Sequence, residues 1–206
     1  MCEVFGSRGR QAVCGHPEIE TALVELYRAT GKREYLDQAR LFVERRGRGL
    51  LGPIEFGPAY FQDDLPVRQA AVLRGHAVRA LYLATGAIDV AVEDGDDELL
   101  AAVRRQYANA LSRRTYLTGG MGSRHQDEAF GEDYELPPDQ AYAETCAAVA
   151  SVMLSWRLLL ATGEECWADM IERTLHNAVA VSPASDRHQL GRGPRLGPGR
   201  PRRLSI

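Results

Sequence analysis

Apolar residues recur at helical spacing along most of this chain, in stretches separated by only a few residues. The first stretch covers 17–31 and the second covers 35–47. Each ends at a glycine, Gly31 or Gly47, and glycine is the residue most often found just beyond a helix end. An amphipathic helix has one apolar face to bury, so two such helices with a short link fold back on each other. The spacing therefore predicts a helical hairpin.

The hairpin pattern then repeats. Apolar periodicity predicts further helices at 66–86, 96–111, 145–163 and 164–179. Three predicted helices end with similar sequences, which are LYRATG at 26–31, LYLATG at 81–86 and LLLATG at 158–163. Such an ending is a common helix stop, but three copies favour a structural repeat. Stacked helical hairpins form solenoids or closed α/α toroids, so we predict an all-α fold with about three helix pairs.

Two segments between the predicted helices are too long to be simple connections. They cover 47–66 and 115–144, whereas links in compact domains rarely exceed about 12–15 residues. Functional residues, local strands or both are expected in them. The second segment is rich in carboxylates, which belong to Asp127, Glu128, Glu132, Asp133 and Glu135. Charge alone leaves two interpretations open, a solvated loop or carboxylates paired for chemistry.

The stretch QAYAETC places Glu144 and Cys146 two positions apart, just before an apolar run. In a regular helix these side chains would point about 200° apart and could not share one ligand. The Pro137-Pro138 pair argues against an early helix start, and Thr145 is a good N-cap residue. A late start leaves Glu144 in non-helical backbone, free to face the same point as Cys146. Spacing alone leaves two interpretations open, half of a tetrahedral zinc site or a buried cysteine beside a capping glutamate.

The segment 182–206 differs in composition from the rest of the chain. It carries six arginines against one aspartate, so that the formal charge of −3 for the whole chain leaves −8 for residues 1–181. Its Gly-, Pro- and Arg-rich composition predicts disorder, because little apolar surface can offset the entropy of ordering. A basic arm for nucleic acid is a less favoured interpretation, since no aromatic residues are interleaved. A frameshift product of a GC-rich gene is another, suggested by 24 arginines to one lysine in the chain.

Cysteine content and hydropathy bear on the cellular compartment. Four scattered cysteines without a CxxC pair do not make a disulfide framework, which leaves reduced thiols or metal ligands. No window approaches the roughly 18 consecutive apolar residues of a spanning helix, and the N-terminus lacks the layout of a signal peptide. We therefore expect a cytoplasmic protein without a membrane or nucleic-acid partner.

Four regions of the chain carry a resemblance to a known family. They read CGHPEIETALVELYRATGKREYLDQA from 14, YFQDDLPVRQ from 60 with GHAVRALYL from 75, YLTGGMGSRHQDEAFGEDYELP from 116, and AYAETCAAVASVMLSWRLLL from 141. In this order they resemble glycoside hydrolase family 127, the β-L-arabinofuranosidase family. The likeness runs from about Cys14 to Val181. We accordingly divide the chain into a lead-in at 1–13, a partial catalytic domain at 14–181 and the tail at 182–206.

The resemblance implies a fold and a chemistry. The family fold is an (α/α)6 barrel of paired helices, of which three hairpins would make about half. Its members remove terminal β-L-arabinofuranosyl residues with retention of configuration. A zinc-bound cysteine thiolate attacks the anomeric carbon, and a glutamate serves first as acid and then as base. This is the two-step retaining scheme with sulfur in place of the second carboxylate.

The resemblance also implies roles for particular residues. Glu128 matches the general acid/base, although Asp127 stands before it where the family usually has glycine. Glu144 and Cys146 match two of the zinc ligands, and Glu144 is also expected to contact the sugar. His16 and His76 match histidines that line the sugar pocket. Without the family, each lone histidine would more often be a satisfied core or capping residue.

One departure from the family pattern limits the expected activity. The remaining zinc ligands of the family are adjacent cysteines in a CCPPN-like segment, which include the nucleophile, and this chain has no adjacent cysteines. We therefore expect an internal fragment that lacks the nucleophile and exposes apolar helix faces, with self-association through them. The alternative is a helical-repeat binding module without catalysis. L-Arabinofuranosides are the expected ligands in the first case.

Overall fold

Seven α-helices lie within residues 1–140 and 142–182, the part of the chain that the computed structural model describes. They are α1 (Cys2–Phe5), α2 (Ile19–Thr30), α3 (Arg33–Arg45), α4 (Ala77–Asp94), α5 (Asp97–Arg113), α6 (Thr145–Thr162) and α7 (Cys166–Thr174). A 3₁₀ turn spans Pro58–Phe61 and a π-helical turn spans Leu175–Val179. In the described part, extended pairing is limited to three isolated bridges. The all-α prediction is confirmed, and the tail from 183 onward lies outside the described residues.

The long helices form three hairpins, as the periodicity predicts. These are α2 with α3, α4 with α5, and α6 with α7. Helix α4 lies at the centre and packs against α2, α3, α5 and α6. Its buried face includes Leu81, Ala84 and Ile88, which join the main apolar core. The hairpins thus share one core through α4, the arrangement of a partial α/α barrel.

The predicted helix at 66–86 is wrong at both ends. Residues 66–76 form turns, the helix begins at Ala77, and it continues through Gly86 as far as Asp94. The LYLATG sequence is therefore not a helix end, unlike the two similar sequences that close at Gly31 and Gly163 in left-handed backbone. Gly86 lies mid-helix because α2 crosses there, and a Cβ on Gly86 would stand 2.6 Å from the Cβ of Glu20. The real stop is Gly95.

Replacing Gly86 with alanine tests this close helix crossing. Alanine in a helix interior normally gains about 1 kcal/mol over glycine. Here the added methyl group meets Glu20, and overpacking of this kind costs about 1–3 kcal/mol. We expect Gly86→Ala to lower the free energy of unfolding, measured by urea denaturation. A stabilised variant would contradict the crossing.

Helix α5 begins at a side-chain cap. The carboxylate of Asp96 accepts from the backbone N–H of Leu99 at 2.9 Å, which satisfies one free N–H of the first turn. Asp96 also accepts from Arg68 Nη1 at 3.0 Å, and Arg68 contacts Glu44 on α3 at 2.7 Å. The hydrogen bond from Arg68 is the main reason that the pKa of Asp96 falls to about 2.

The cap at Asp96 makes a pH-dependent contribution to stability. We expect Asp96→Ala to destabilise the fold by about 1 kcal/mol at pH 7, with Asp97→Ala as the matched first-turn control. The folded pKa of Asp96 lies below its ordinary value of 3.8. The contribution is therefore complete above about pH 4 and is lost as the pH falls towards 2. Urea titrations at several pH values should show the difference between wild type and Asp96→Ala shrinking over that interval; a constant difference would contradict the assignment.

Helix α6 is apolar on more than its packed face. It has 18 residues with a mean hydropathy of 1.5, so by length and composition it is the one helix in the described residues that could span a membrane. It packs against α4 and α7, yet Trp156 and Leu160 are exposed. A core helix passes the same test of length and hydropathy, so the expected absence of a membrane partner stays a prediction. Self-association through these exposed side chains also stays a prediction.

Candidate functional site

The predicted site residues come from two helix starts and two loops. His76 is the residue before α4, and Glu144 is the residue before α6. Both have extended or near-extended backbone, which aims their side chains away from the helix axis. Helices α4 and α6 pack directly against each other. The late start of α6 that the sequence predicts is confirmed, although Glu144 rather than Thr145 occupies the cap position.

The loop at 114–144 is fastened to the start of α4 by its backbone. The Ala77 N–H donates to the Glu128 carbonyl at 3.0 Å, and the Phe130 N–H donates to the Gly75 carbonyl at 2.9 Å. Glu128 itself has a φ of 58°, a left-handed conformation that costs a non-glycine residue about 1–2 kcal/mol. Strain of this kind persists only where the surroundings hold it, and it is concentrated at functional positions.

The Glu128 carboxylate is held at both oxygens. Its Oε2 lies 3.1 Å from His76 Nε2, and its Oε1 accepts from the Tyr142 hydroxyl at 2.9 Å. The side chain is 34% exposed, so the carboxyl group reaches solvent while its orientation is fixed. A fixed and accessible carboxyl group is suited to moving protons.

Aromatic rings surround His76. Its ring centroid lies 6.3 Å from that of His16 and 5.5 Å from that of Tyr60. His16 lies 6.2 Å from the ring of Tyr82. His76 is buried, and burial is the main cause that lowers its pKa, with the nearby charge of Arg79 next and Glu128 opposing. The lowered pKa favours the neutral imidazole, and a neutral ring that faces a carboxylate, which can only accept, carries its proton on Nε2.

Glu144 and Cys146 do meet. Cys146 lies in the first turn of α6 and is exposed as a residue. Partial burial raises the pKa of its thiol, and the adjacent Glu144 carboxylate raises it further by accepting its hydrogen bond and by charge repulsion. The charge of Glu128 acts on the same thiol. His16, His76, Glu128, Glu144 and Cys146 thus belong to one cluster.

A family model described as the beta-L-arabinofuranosidase, GH127 catalytic domain matches residues 1–189. The chain belongs to glycoside hydrolase family 127. The resemblance found in the sequence is confirmed. This family 127 chain is also 37% identical over 191 residues to a non-reducing end beta-L-arabinofuranosidase of Bifidobacterium longum, covering 85% of this chain and 29% of that protein.

Two solved structures of family 127 share the fold. One is a beta-arabinofuranosidase, with 40% identity and a TM-score of 0.81 over 88% of this chain and 28% of the other. The other is a beta-L-arabinofuranosidase from Geobacillus stearothermophilus, with 36% identity and a TM-score of 0.82 over 88% of this chain and 31% of the other. The chain therefore spans less than a third of the length of these relatives.

The described residues by themselves do not form a metal site. Among residues 1–140 and 142–182, no group of three or more His, Cys, Asp or Glu side chains could hold a metal ion. Glu144 and Cys146 offer one oxygen and one sulfur donor, both of which zinc accepts. Their contact raises the pKa of Cys146, and a cation between them would reverse that effect. The donor types of the pair suit zinc, so the expected zinc site stays a prediction.

Sequence reasoning missed four members of the cluster, which are Tyr60, Arg79, Tyr82 and Tyr142. Arg79 follows His76 by three residues on one helix, a spacing that places both on neighbouring positions of one face. Tyr142 lies in the QAYAETC stretch itself. The sequence therefore contained a signal for Arg79 and one for Tyr142. Tyr60 comes from the other long loop, and no local pattern links it to His76.

Replacing Glu128 with glutamine tests the His76 contact in solution. The carboxylate stabilises protonated His76 by charge and by its hydrogen bond. We expect Glu128→Gln to lower the pKa of His76, read from the imidazole shifts in an NMR titration. Glu132→Gln, on the same loop and exposed, is the control and should leave that pKa unchanged. An unchanged His76 in Glu128→Gln would contradict the contact.

Proposed function

We propose that this chain carries the acid/base part of a retaining β-L-arabinofuranosidase site, with Glu128 as the general acid/base. The observation that carries the proposal is the Glu128 carboxyl group, which is oriented at one oxygen by His76 and at the other by Tyr142. Family membership supports the hydrolase class, and the name of the Bifidobacterium relative supports the sugar.

In this proposal Glu128 moves a proton at each of the two steps. It first protonates the oxygen of the departing group and then removes a proton from the water that releases the sugar. The contacts from His76 and Tyr142 hold the carboxyl group in place through both steps. His76, His16 and Glu144 contact the sugar hydroxyl groups.

A cleft next to Asp127 offers room for the rest of a glycoside. Its volume is about 410 Å³, within the range of small-molecule sites. An exposed aromatic ring and several polar side chains line it, including Phe56, Ser123, Arg124, His125 and Gln140. The Phe56 ring contacts the Tyr60 ring in a tilted arrangement, with 4.9 Å between the centroids, which links the cleft to the ring cluster around His76.

We further propose that Glu144 and Cys146 are two of four zinc ligands. Bound zinc would keep a cysteine sulfur deprotonated at neutral pH. The other two ligands, one of them the nucleophile, belong in the family to adjacent cysteines that this chain lacks. Turnover by this chain alone is therefore not expected, and its remaining activities are sugar binding and weak metal binding.

Sugar binding tests the proposed pocket without requiring turnover. We expect methyl β-L-arabinofuranoside to shift NMR signals of His16 and His76 in the wild-type chain, and we expect His76→Ala to abolish the shift of the His16 signals. His176→Ala, an exposed histidine beyond α7, is the matched control. Equal binding in both variants would contradict the role of His76, and no binding in wild type would favour the helical-repeat binding module. Release of L-arabinose that is abolished in Glu128→Gln would overturn the expected lack of turnover.

Cobalt binding tests the proposed metal ligands. Co²⁺ substitutes for zinc, and its bond to a thiolate gives an absorption band in the near ultraviolet. We expect this band in the wild-type chain and its loss in Cys146→Ser. Cys166→Ser is a close control, because Cys166 is also exposed in a first helical turn. A band that survives in Cys146→Ser but disappears in Cys166→Ser would refute the assignment.

A further inference from the structure

Arg79 is a half-buried cation that the proposed chemistry does not use. It lies on α4 one turn after His76, and its guanidinium carbon stands 5.2 Å from the ring centroid of Tyr60 and 4.6 Å from that of Phe61. Its Nε and Nη1 atoms are buried and make no hydrogen bond within the described residues. The guanidinium lies on the two ring faces, as in cation–π contacts, and it also interacts with the Tyr60 hydroxyl by charge and by a hydrogen bond. An arginine keeps its charge in such a place.

The position of this cation relative to His76 is fixed by the backbone. The His76 N–H donates to the Tyr60 carbonyl at 3.1 Å. Gly75 has a φ of 69°, and a Cβ there would stand 2.3 Å from the Ala59 carbonyl oxygen. The turn at Pro58–Phe61 is thus pressed against the start of α4. The backbone thus ties the rings that hold Arg79 to the imidazole of His76.

The groups that face His76 favour its neutral form. Arg79, which follows on α4, and His16 from the N-terminal segment disfavour protonation of His76. Glu128 from the loop at 114–144 favours protonation. Tyr60 from the 3₁₀ turn presents a ring edge-on, and burial raises the pKa of its hydroxyl. Burial and Arg79 are the two largest causes, and both lower the pKa of His76.

The second ring nitrogen of His76, Nδ1, gives an independent, geometric reason why the neutral form of the ring is favoured. His76 Nδ1 is buried and makes no hydrogen bond within the described residues. In a protonated ring this nitrogen would be a buried, charged N–H donor without an acceptor, which costs more than an unfilled lone pair on a neutral ring. The surroundings of Nδ1 therefore disfavour the imidazolium form.

We propose that Arg79 is a positioning residue, whose cation, held on the Tyr60 and Phe61 rings, keeps His76 neutral, so that its Nε2–H donates to Glu128 as an uncharged group. This rests on the proposed function only in naming Glu128 as the acid/base. A protonated His76 would hold Glu128 as a permanent carboxylate in an ion pair. A neutral imidazole orients the carboxylate and still lets Glu128 take up a proton, which a group that alternates between acid and base requires.

NMR of the isotope-labelled chain tests the proposal without any substrate. The wild-type ring should show the neutral, Nε2-protonated nitrogen shifts at pH 7. Arg79→Met removes the charge and keeps much of the packing, and we expect it to raise the pKa of His76. Arg79→Lys keeps the charge, and we expect a pKa close to that of wild type. Arg105→Met, an exposed arginine on α5, is the control and should have no effect.

Three results would overturn the role of Arg79. One is a doubly protonated His76 in the wild-type chain at pH 7, a result that does not depend on any variant. Another is an unchanged pKa of His76 in folded Arg79→Met. The last is an equal shift in Arg79→Lys and Arg79→Met, which would assign Arg79 a packing role alone. If Arg79→Met does not fold, the tautomer of His76 in the wild-type chain and the pKa of His76 in Arg79→Lys decide whether the proposed role of Arg79 stands. Failure of the proposed function would appear as lost sugar binding, with these titrations unaffected.

Discussion

The contact between His76 and Glu128 joins the two parts on which the site depends. His76 belongs to the helical scaffold, since it is the residue before α4. Glu128 belongs to the long loop at 114–144, which contains no regular strand in its described part. The backbone bonds from Ala77 and Phe130 hold the two together. A loop without a strand ladder therefore has a defined position, and the left-handed backbone at Glu128 is held in place by those bonds.

The helices that position His76 are held together by the side chains buried between α4 and its neighbours. Apolar side chains supply most of that burial, and buried charges add directional contacts at its other end. Asp89 on α4 accepts from Arg28 on α2 at 3.0 Å and lies 3.2 Å from Arg157 on α6. Burial raises the pKa of Asp89, and the two arginines oppose that change. Removing one partner of such a buried group is costly, because it leaves the remaining charge unpaired.

The helix pairs were predictable from the sequence because their signals are local. Apolar spacing identifies the α2/α3 and α6/α7 hairpins, and the Pro137-Pro138 pair identifies the late start of α6. The same reasoning failed at Gly86, whose neighbours match those of real helix ends. There the helix needs glycine because α2 crosses it, and a Cβ at Gly86 would stand 2.6 Å from the Cβ of Glu20, which is far away in the sequence. No pattern within 66–86 contains that information.

The sequence by itself determined the fold class and the family, and the resemblance to that family singled out five residues expected to do chemistry. Fold class and family follow from short-range periodicity and from motifs, which are properties of neighbouring residues. The tertiary structure alone decided that the Tyr60 ring contacts both His76 and Arg79 and that the Tyr142 hydroxyl donates to Glu128. The protonation state of His76 depends on burial and on charges from separate segments. Electrostatic interactions act through space, so they emerge only when the chain has folded.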